Sequence, residues 1–171
     1  MSWGLRLPDA ERGCHAESMK TRVFCCEVAG LLLACALSAA AQDKGFWYAA
    51  SSAATSITGD IAISETKVTI STIQYPLAPI RRLKPVEVSA AFDADVNAGI
   101  SGDLYRLRIP AGQRFLHKNT LCGTEDTEWM ATYVVGKTLT VSFFSGPNMP
   151  VFTMEALANT MDRCGTFRFA R

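Results

Sequence analysis

The chain has 171 residues, a formal net charge of +1 and an apolar fraction of 49%, which suits one ordinary domain with enough apolar side chains for a packed core and excludes a disordered, highly charged tail. A balance this close to neutral supplies no basic field to hold nucleic acid, so no nucleic-acid partner is expected.

Residues 1–18 are polar, carry Asp9, Glu11 and Glu17, and precede a second methionine, Met19. They read as an upstream extension, with translation expected to start at Met19. Lys20 and Arg22 then form a positive n-region and the run from Val28 to Leu37 an apolar h-region, with Glu27 lying between the two as a blemish in the pattern. Ala39, Ala40 and Ala41 supply the small side chains that a signal peptidase needs. Residues 19–41 are therefore expected to be a secretory signal peptide cleaved after Ala41, leaving 42–171 as a single β-rich domain. A membrane anchor is the other reading, but the apolar run is shorter than the about 20 residues that a spanning helix needs. Leu32-Leu33-Ala34-Cys35 approximates a lipobox and offers the alternative of a lipid anchor at Cys35; Leu33 fits it poorly, and the apolar run continues past the cysteine.

The leader would take Cys14, Cys25, Cys26 and Cys35 with it. Cys122 and Cys164 remain, and in the oxidising periplasm or outside the cell they are expected to form a disulfide. A zinc site would want two more ligands. His117 is the one histidine after the leader, so no metal is expected, and the absence of phosphate-loop, dinucleotide, His-x-His and Cys-x-x-Cys motifs leaves no cofactor to expect.

Along the remaining chain, Phe46, Trp47, Ala50, Ala53 and Ala54 recur at helical spacing, and a short amphipathic helix is predicted within 42–55. Segments 57–63 and 67–73 are β-branched and alternate about Ser64-Glu65-Thr66, which predicts a hairpin. Pro76, Pro79 and Pro85 limit 75–88 to extended or edge segments, with Val86 and Val88 able to start a short strand. Segment 92–102, rich in Ala, Asp, Asn and Gly, reads as a long surface loop.

Next, 104–109 reads as a half-buried strand, with Tyr105, Leu107 and Ile109 on one face and Arg106 and Arg108 on the other, ended by Pro110 and Gly112. Segments 129–135 and 138–144 flank Gly136-Lys137, where a leading glycine suits a type II′ hairpin turn. Thr153 is placed to cap a helix through Met161, with Met154, Leu157 and Met161 on one face. Residues 165–169 alternate again as a closing strand. About seven strands with one or two short helices predict a mainly β fold, an antiparallel barrel or sandwich.

Two phrases recur: Ile57-Thr-Gly-Asp-Ile61 with Ile100-Ser-Gly-Asp-Leu104, and Cys122-Gly-Thr124 with Cys164-Gly-Thr166. A tandem duplication would repeat both in the same order, which this chain does not. Gly-Asp is therefore read as a turn or bulge entering a strand, and Gly after Cys as room for close backbone approach at the bridge.

Three constellations could carry chemistry. His117 could act as a general base, helped by Asp103 or Asp126 and serving Ser142 or Ser145, or it could be a surface histidine in a polar turn; no Gly-x-Ser-x-Gly elbow surrounds any serine. Glu125, Asp126 and Glu128 could pair as acid and base or hold calcium, or could form a solvated loop tip. Arg81, Arg82 and Lys84, joined by Arg106 and Arg108, could meet an anionic glycan, a lipid headgroup or an acidic protein. They could equally form a charged edge that blocks strand aggregation.

The phrases Leu104-Tyr-Arg106, Asn119-Thr-Leu-Cys-Gly123, Phe144-Ser-Gly146 and Cys164-Gly-Thr-Phe167 resemble those of small exported proteobacterial proteins with a two-cysteine β domain. The resemblance spans most of the chain after the leader. It supports the compartment and the disulfide and brings no activity or functional residue with it.

A disulfide-stapled β scaffold with one histidine and no catalytic signature leads to the expectation of a periplasmic or secreted binding protein rather than an enzyme. A hydrolase inhibitor, a ligand carrier or an envelope accessory would fit, with an envelope protein or a small ligand as partner and no transmembrane span. The alternatives are a small hydrolase using His117 and a structural envelope protein with an exposed apolar patch.

Overall fold

A computed structural model describes residues 42–98 and 102–171. The extension, the signal peptide and Cys35 lie outside the described residues, as do 99–101 of the predicted loop.

Eight antiparallel strands close into a barrel in which each pairs with its sequence neighbours and the last returns to the first. They are β1 (Gly45–Ala49), β2 (Ile61–Ile63), β3 (Lys67–Ile70), β4 (Ile73–Leu83), β5 (Gly102–Ile109), β6 (Thr127–Val135), β7 (Thr138–Ser145) and β8 (Arg163–Ala170). Two helices sit between them, α1 (Pro85–Phe92) and α2 (Met154–Asn159), and short helical turns cover Ala54–Thr58, Val96–Ala98 and Leu116–Lys118.

The inward face of each strand is apolar and alternates with an outward one. Trp47, Ile61, Val68, Tyr75, Tyr105, Met130, Val141 and Phe167 all belong to one buried cluster. An eight-stranded barrel has an interior just wide enough for side chains to fill, and here large ones fill it: Trp47, Phe143, Phe167 and Phe169 are all at most 1% exposed.

A second core lies outside the barrel wall. Leu83, Leu104, Trp129 and Phe144 turn outward from β4 to β7 and are covered by Val88 and Ala91 of α1, Leu157 of α2, and Phe152. Tyr105, Leu107 and Ile109 are buried on one face of β5 and Arg106 and Arg108 lie on the other, as the alternation predicts, but that other face is also buried at Leu104.

Several expectations are corrected. The helix predicted within 42–55 is instead β1 at Phe46 and Trp47: Phe46 and Tyr48 are exposed and Trp47 is fully buried between them, the period-two signature of a strand. Helical structure begins after it, at Ser52, and runs on through the turn Ala54–Thr58, so the prediction holds at Ala53 and Ala54. That turn takes Ile57 and Thr58 out of the predicted strand, so β2 starts at Ile61.

Segment 67–73 is two strands, because Ser71 and Thr72 both have positive φ (47° and 72°) between the paired Ile70 and Ile73. This is the backbone of a two-residue type I′ turn, made here without glycine. Val86 and Val88 start no strand. Pro85 at the first helical position and Glu87, whose carboxylate accepts from Lys84 N at 2.8 Å, set them in α1.

Strand β4 is the longest strand and carries Pro76 and Pro79 within it. Its register with β3 runs up to Pro76 and its register with β5 begins at Leu77, with a bulge between Pro79 and Arg81. Each proline thus lies where a single neighbouring strand is paired, so its missing N–H disrupts no two-sided ladder.

Thr153 does cap α2, accepting from Ala156 N at 3.1 Å. The helix stops at Asn159, however, and Met154 and Met161 are 68% and 94% exposed. Only Leu157 of the predicted apolar face is buried. The β6–β7 hairpin turns at Gly136 with φ 56° while Lys137 keeps an ordinary φ, as a type II′ turn requires.

Candidate functional site

The five basic candidates do not form an open cationic surface. On β4, Arg81 makes two 2.8 Å bonds to Glu87 of α1, and Arg82 Nε lies 3.7 Å from Asp103. On β5, Arg106 pairs with Glu128, donates to Pro147 O at 3.1 Å and stacks 4.3 Å over the Trp129 ring. Arg108 bonds Asp126 at 3.2 Å. Two of the three acidic residues at 125–128 are accounted for by these cross-strand pairs. Lys84 is exposed, immediately before α1.

His117 is exposed in the turn Leu116–Lys118 with φ 53°. None of the residues proposed to serve it does so. Asp126 accepts from Ala111 N, Ser142 bonds Thr166, and Ser145 bonds the carbonyl of Asp162. Among the described residues no group of three His, Cys, Asp or Glu side chains converges as a metal site. Cys122 and Cys164 are joined, with their Cα atoms 4.8 Å apart.

One buried polar cluster went unforeseen. At the end of the barrel where β1 begins, Asp43 is 2% exposed, and its Oδ2 accepts from Tyr105 Oη at 2.6 Å and from Thr132 Oγ1 at 3.0 Å. Lys44 Nζ donates to Tyr105 Oη at 2.9 Å and lies 3.8 Å from Asp43 Oδ1. Burial, and then the bond to Asp43, push the Tyr105 phenol far above its ordinary value, so it remains a donor. Burial, and then Asp43, also raise the Asp103 carboxyl. The cluster is enclosed and ties the segment leading into β1 to β5 and β6. It offers no surface to a substrate.

A cleft of about 610 Å³ opens to solvent on the outer side of β1, β2 and β3, within the range of about 300 to 1,000 Å³ usual for small-ligand sites. The outward residues Phe46, Ala62 and Thr69 stand side by side through the pairings of β1 with β2 and β2 with β3, and all three line it. The helical turn contributes Thr55, the I′ turn contributes Ser71 and Thr72, and Leu116 closes one side.

Asp60 is the one titratable side chain in the lining, and its Oδ1 accepts from Ala49 N at 2.8 Å. Thr72, β-branched and in the left-handed region, carries backbone strain of the kind that collects at ligand sites. The sequence signal missed here was the alternation of Phe46-Trp47-Tyr48, which leaves two aromatic rings outside the barrel.

No protein-family model, curated protein or solved structure matches the chain.

Proposed function

We propose that this protein is an exported, non-catalytic binding protein, and that its ligand occupies the outer cleft over β1, β2 and β3. The observation that carries the reading is the contrast between the two sides of the wall. The interior is filled by its own aromatic side chains, so a carrier role cannot use the lumen, whereas the outer cleft is open and lined by hydroxyls around a single carboxylate. Acid–base turnover calls for two groups of matched reactivity, and that lining supplies one.

Export rests on the leader pattern of residues 19–41 and is supported by the Cys122 to Cys164 bond. Among the described residues no helix is long and apolar enough to cross a membrane.

The test uses protein recovered from cells expressing the full chain. Envelope fractionation with N-terminal sequencing is expected to find it outside the cytoplasm, starting at Gln42. No turnover is expected on ester, glycoside and peptide panels; turnover lost on His117→Ala would replace this reading with the hydrolase one. Ala62→Trp, which fills the cleft, is expected to abolish ligand-induced thermal stabilisation by fractionated envelope extract.

A structural role through self-association is the second reading. It is favoured by Met149, Val151, Met154 and Met161, all 46% exposed or more within residues 149–161. Sedimentation across a concentration series separates the two, since the binding reading predicts a monomer.

A further inference from the structure

Resting on the reading of the cleft as the binding site, we infer that its ligand is a neutral pyranose oligosaccharide. The hydroxyls of the lining decide this. Thr58 Oγ1 donates to the carbonyls of Ala54 or Gly59, Thr55 Oγ1 to those of Ser51 or Ser52, and Ser71 Oγ to that of Thr58. A hydroxyl has one proton to give. Thr58 is fully buried and presents nothing to the cleft, but with the protons of Thr55 and Ser71 committed to the backbone their two oxygens present acceptor lone pairs alone, and the Asp60 carboxylate adds a third acceptor group. Among the described residues, the hydroxyls of Thr69 and Thr72 in the lining make no bond within the protein. The polar half of the cleft therefore asks for a ligand rich in donors.

The other half is apolar. Phe46, 52% exposed, lies in the lining beside Ala62, and the ring of Tyr48, 59% exposed, stands at 75° to it with centroids 5.0 Å apart. Asp60 precedes β2 and is held to β1 by the bond from Ala49 N. Asp60 and Phe46 both line the cleft, so an acceptor group shares it with an exposed aromatic ring. A pyranose matches both halves, because it carries several hydroxyl donors around a ring whose C–H face packs on an aromatic side chain.

Charge narrows the class further. No basic side chain lines the cleft, and a carboxylate there disfavours an acidic ligand. Against a cation, Asp60 is exposed and half committed to Ala49 N, and Lys67, whose Nζ reaches Gln74 at 3.3 Å, flanks the adjoining row of β3 and β4.

The experiment titrates the isotope-labelled protein with maltotetraose, cellotetraose and chitotetraose, and in parallel with spermidine and glucuronate. Saturable shifts at the amides of Phe46, Ala62 and Thr69 are expected with at least one tetrasaccharide and with neither charged probe. Phe46→Ala is expected to weaken that binding at least 10-fold and Phe46→Trp to retain it. Asp60→Asn, which keeps an acceptor for Ala49 N, should weaken it about 5-fold, and Met161→Ala should leave it unchanged.

Failure of all three sugars overturns the inference, as does binding of spermidine or glucuronate in the cleft, or sugar binding indifferent to Phe46→Ala. The two readings fail separately. If the envelope-extract ligand is blocked by Ala62→Trp while no sugar binds, the sugar class falls and the cleft stands; if Ala62→Trp blocks nothing, the cleft itself falls.

Discussion

Tyr105 Oη donates to Asp43 Oδ2 at 2.6 Å across a sequence separation of 62 residues, and the two side chains are only 3% and 2% exposed. The bond fastens the segment leading into β1 to the middle of β5. Removing one partner of a buried charged hydrogen bond costs more than the bond contributes, because the survivor is left desolvated. Tyr105→Phe should cost about 1 to 3 kcal/mol. Asp43→Ala strips an acceptor from Tyr105 and Thr132 and the counter-charge from Lys44, so about 3 to 5 kcal/mol is expected. Denaturant unfolding of both single variants and the double should show a combined loss smaller than the sum, as residues in one network require.

Gly102 begins β5 against β6 so closely that a Cβ there would lie 2.3 Å from the carbonyl oxygen of Thr132. That oxygen belongs to the paired strand and cannot swing aside as a flexible side chain would. Gly102→Ala is expected to push β5 off β6 and destabilise by about 1 to 3 kcal/mol, the usual cost of overpacking. Gly112, with open space where its Cβ would stand, is the control, and Gly112→Ala should change the unfolding midpoint little.

The β6–β7 hairpin was legible in the sequence because its signals are local: strict alternation on both sides and a glycine where the turn needs positive φ. Strand β1 was not. Ala50, Ala53 and Ala54 extend a helical spacing across Phe46 and Trp47, and what makes the segment a strand is pairing with β2 and with β8, more than 100 residues away. The same holds for the sites. The arginines could be read as a group from their spacing, yet the acidic partners that occupy four of them come from other elements, and Asp43 gives no hint in sequence that it will be buried. The cleft draws on β1, β2, β3, two turns and Leu116, an assembly no single window contains.

Glu87 carries the clearest pH dependence. The bond from Arg81, aided by the bond from Lys84 N and opposed by partial burial, holds its carboxyl below the ordinary value. The folded state therefore binds that proton less readily than the unfolded chain, so the stabilisation is present at neutral pH and is lost as pH falls through the carboxylate range and the lowered value. Asp103, raised by burial and by Asp43, acts in the opposite sense over the same acidic region. Glu87→Gln should lower stability at pH 7 by about 1 to 2 kcal/mol through the weakened Arg81 pair and helix cap. It should also reduce the further loss on acidification. An unchanged acid limb in denaturant midpoints measured from pH 7 to 3 would remove Glu87 as its source.

The disulfide offers a test in which the folded and unfolded states can be told apart. Cys164 lies at the register shift between β7 and β8, where Phe143 pairs with Gly165 and Phe144 with Arg163, so the bulge turns it toward Cys122 in the loop before β6. The barrel closes through backbone pairing and its filled interior, neither of which uses the bond, so the Cys122→Ser/Cys164→Ser variant is expected to keep the native spectrum. Its stability should fall by about 4 kcal/mol, the chain entropy restored to a loop of this length in the unfolded state, where the separation is 42 residues. Reduction should add the mass of two hydrogens, and native protein should take up no thiol label at either position. A midpoint loss well under 1 kcal/mol in a variant that stays folded would mean that the unfolded chain already holds the two segments together, placing residual structure between them before the barrel forms.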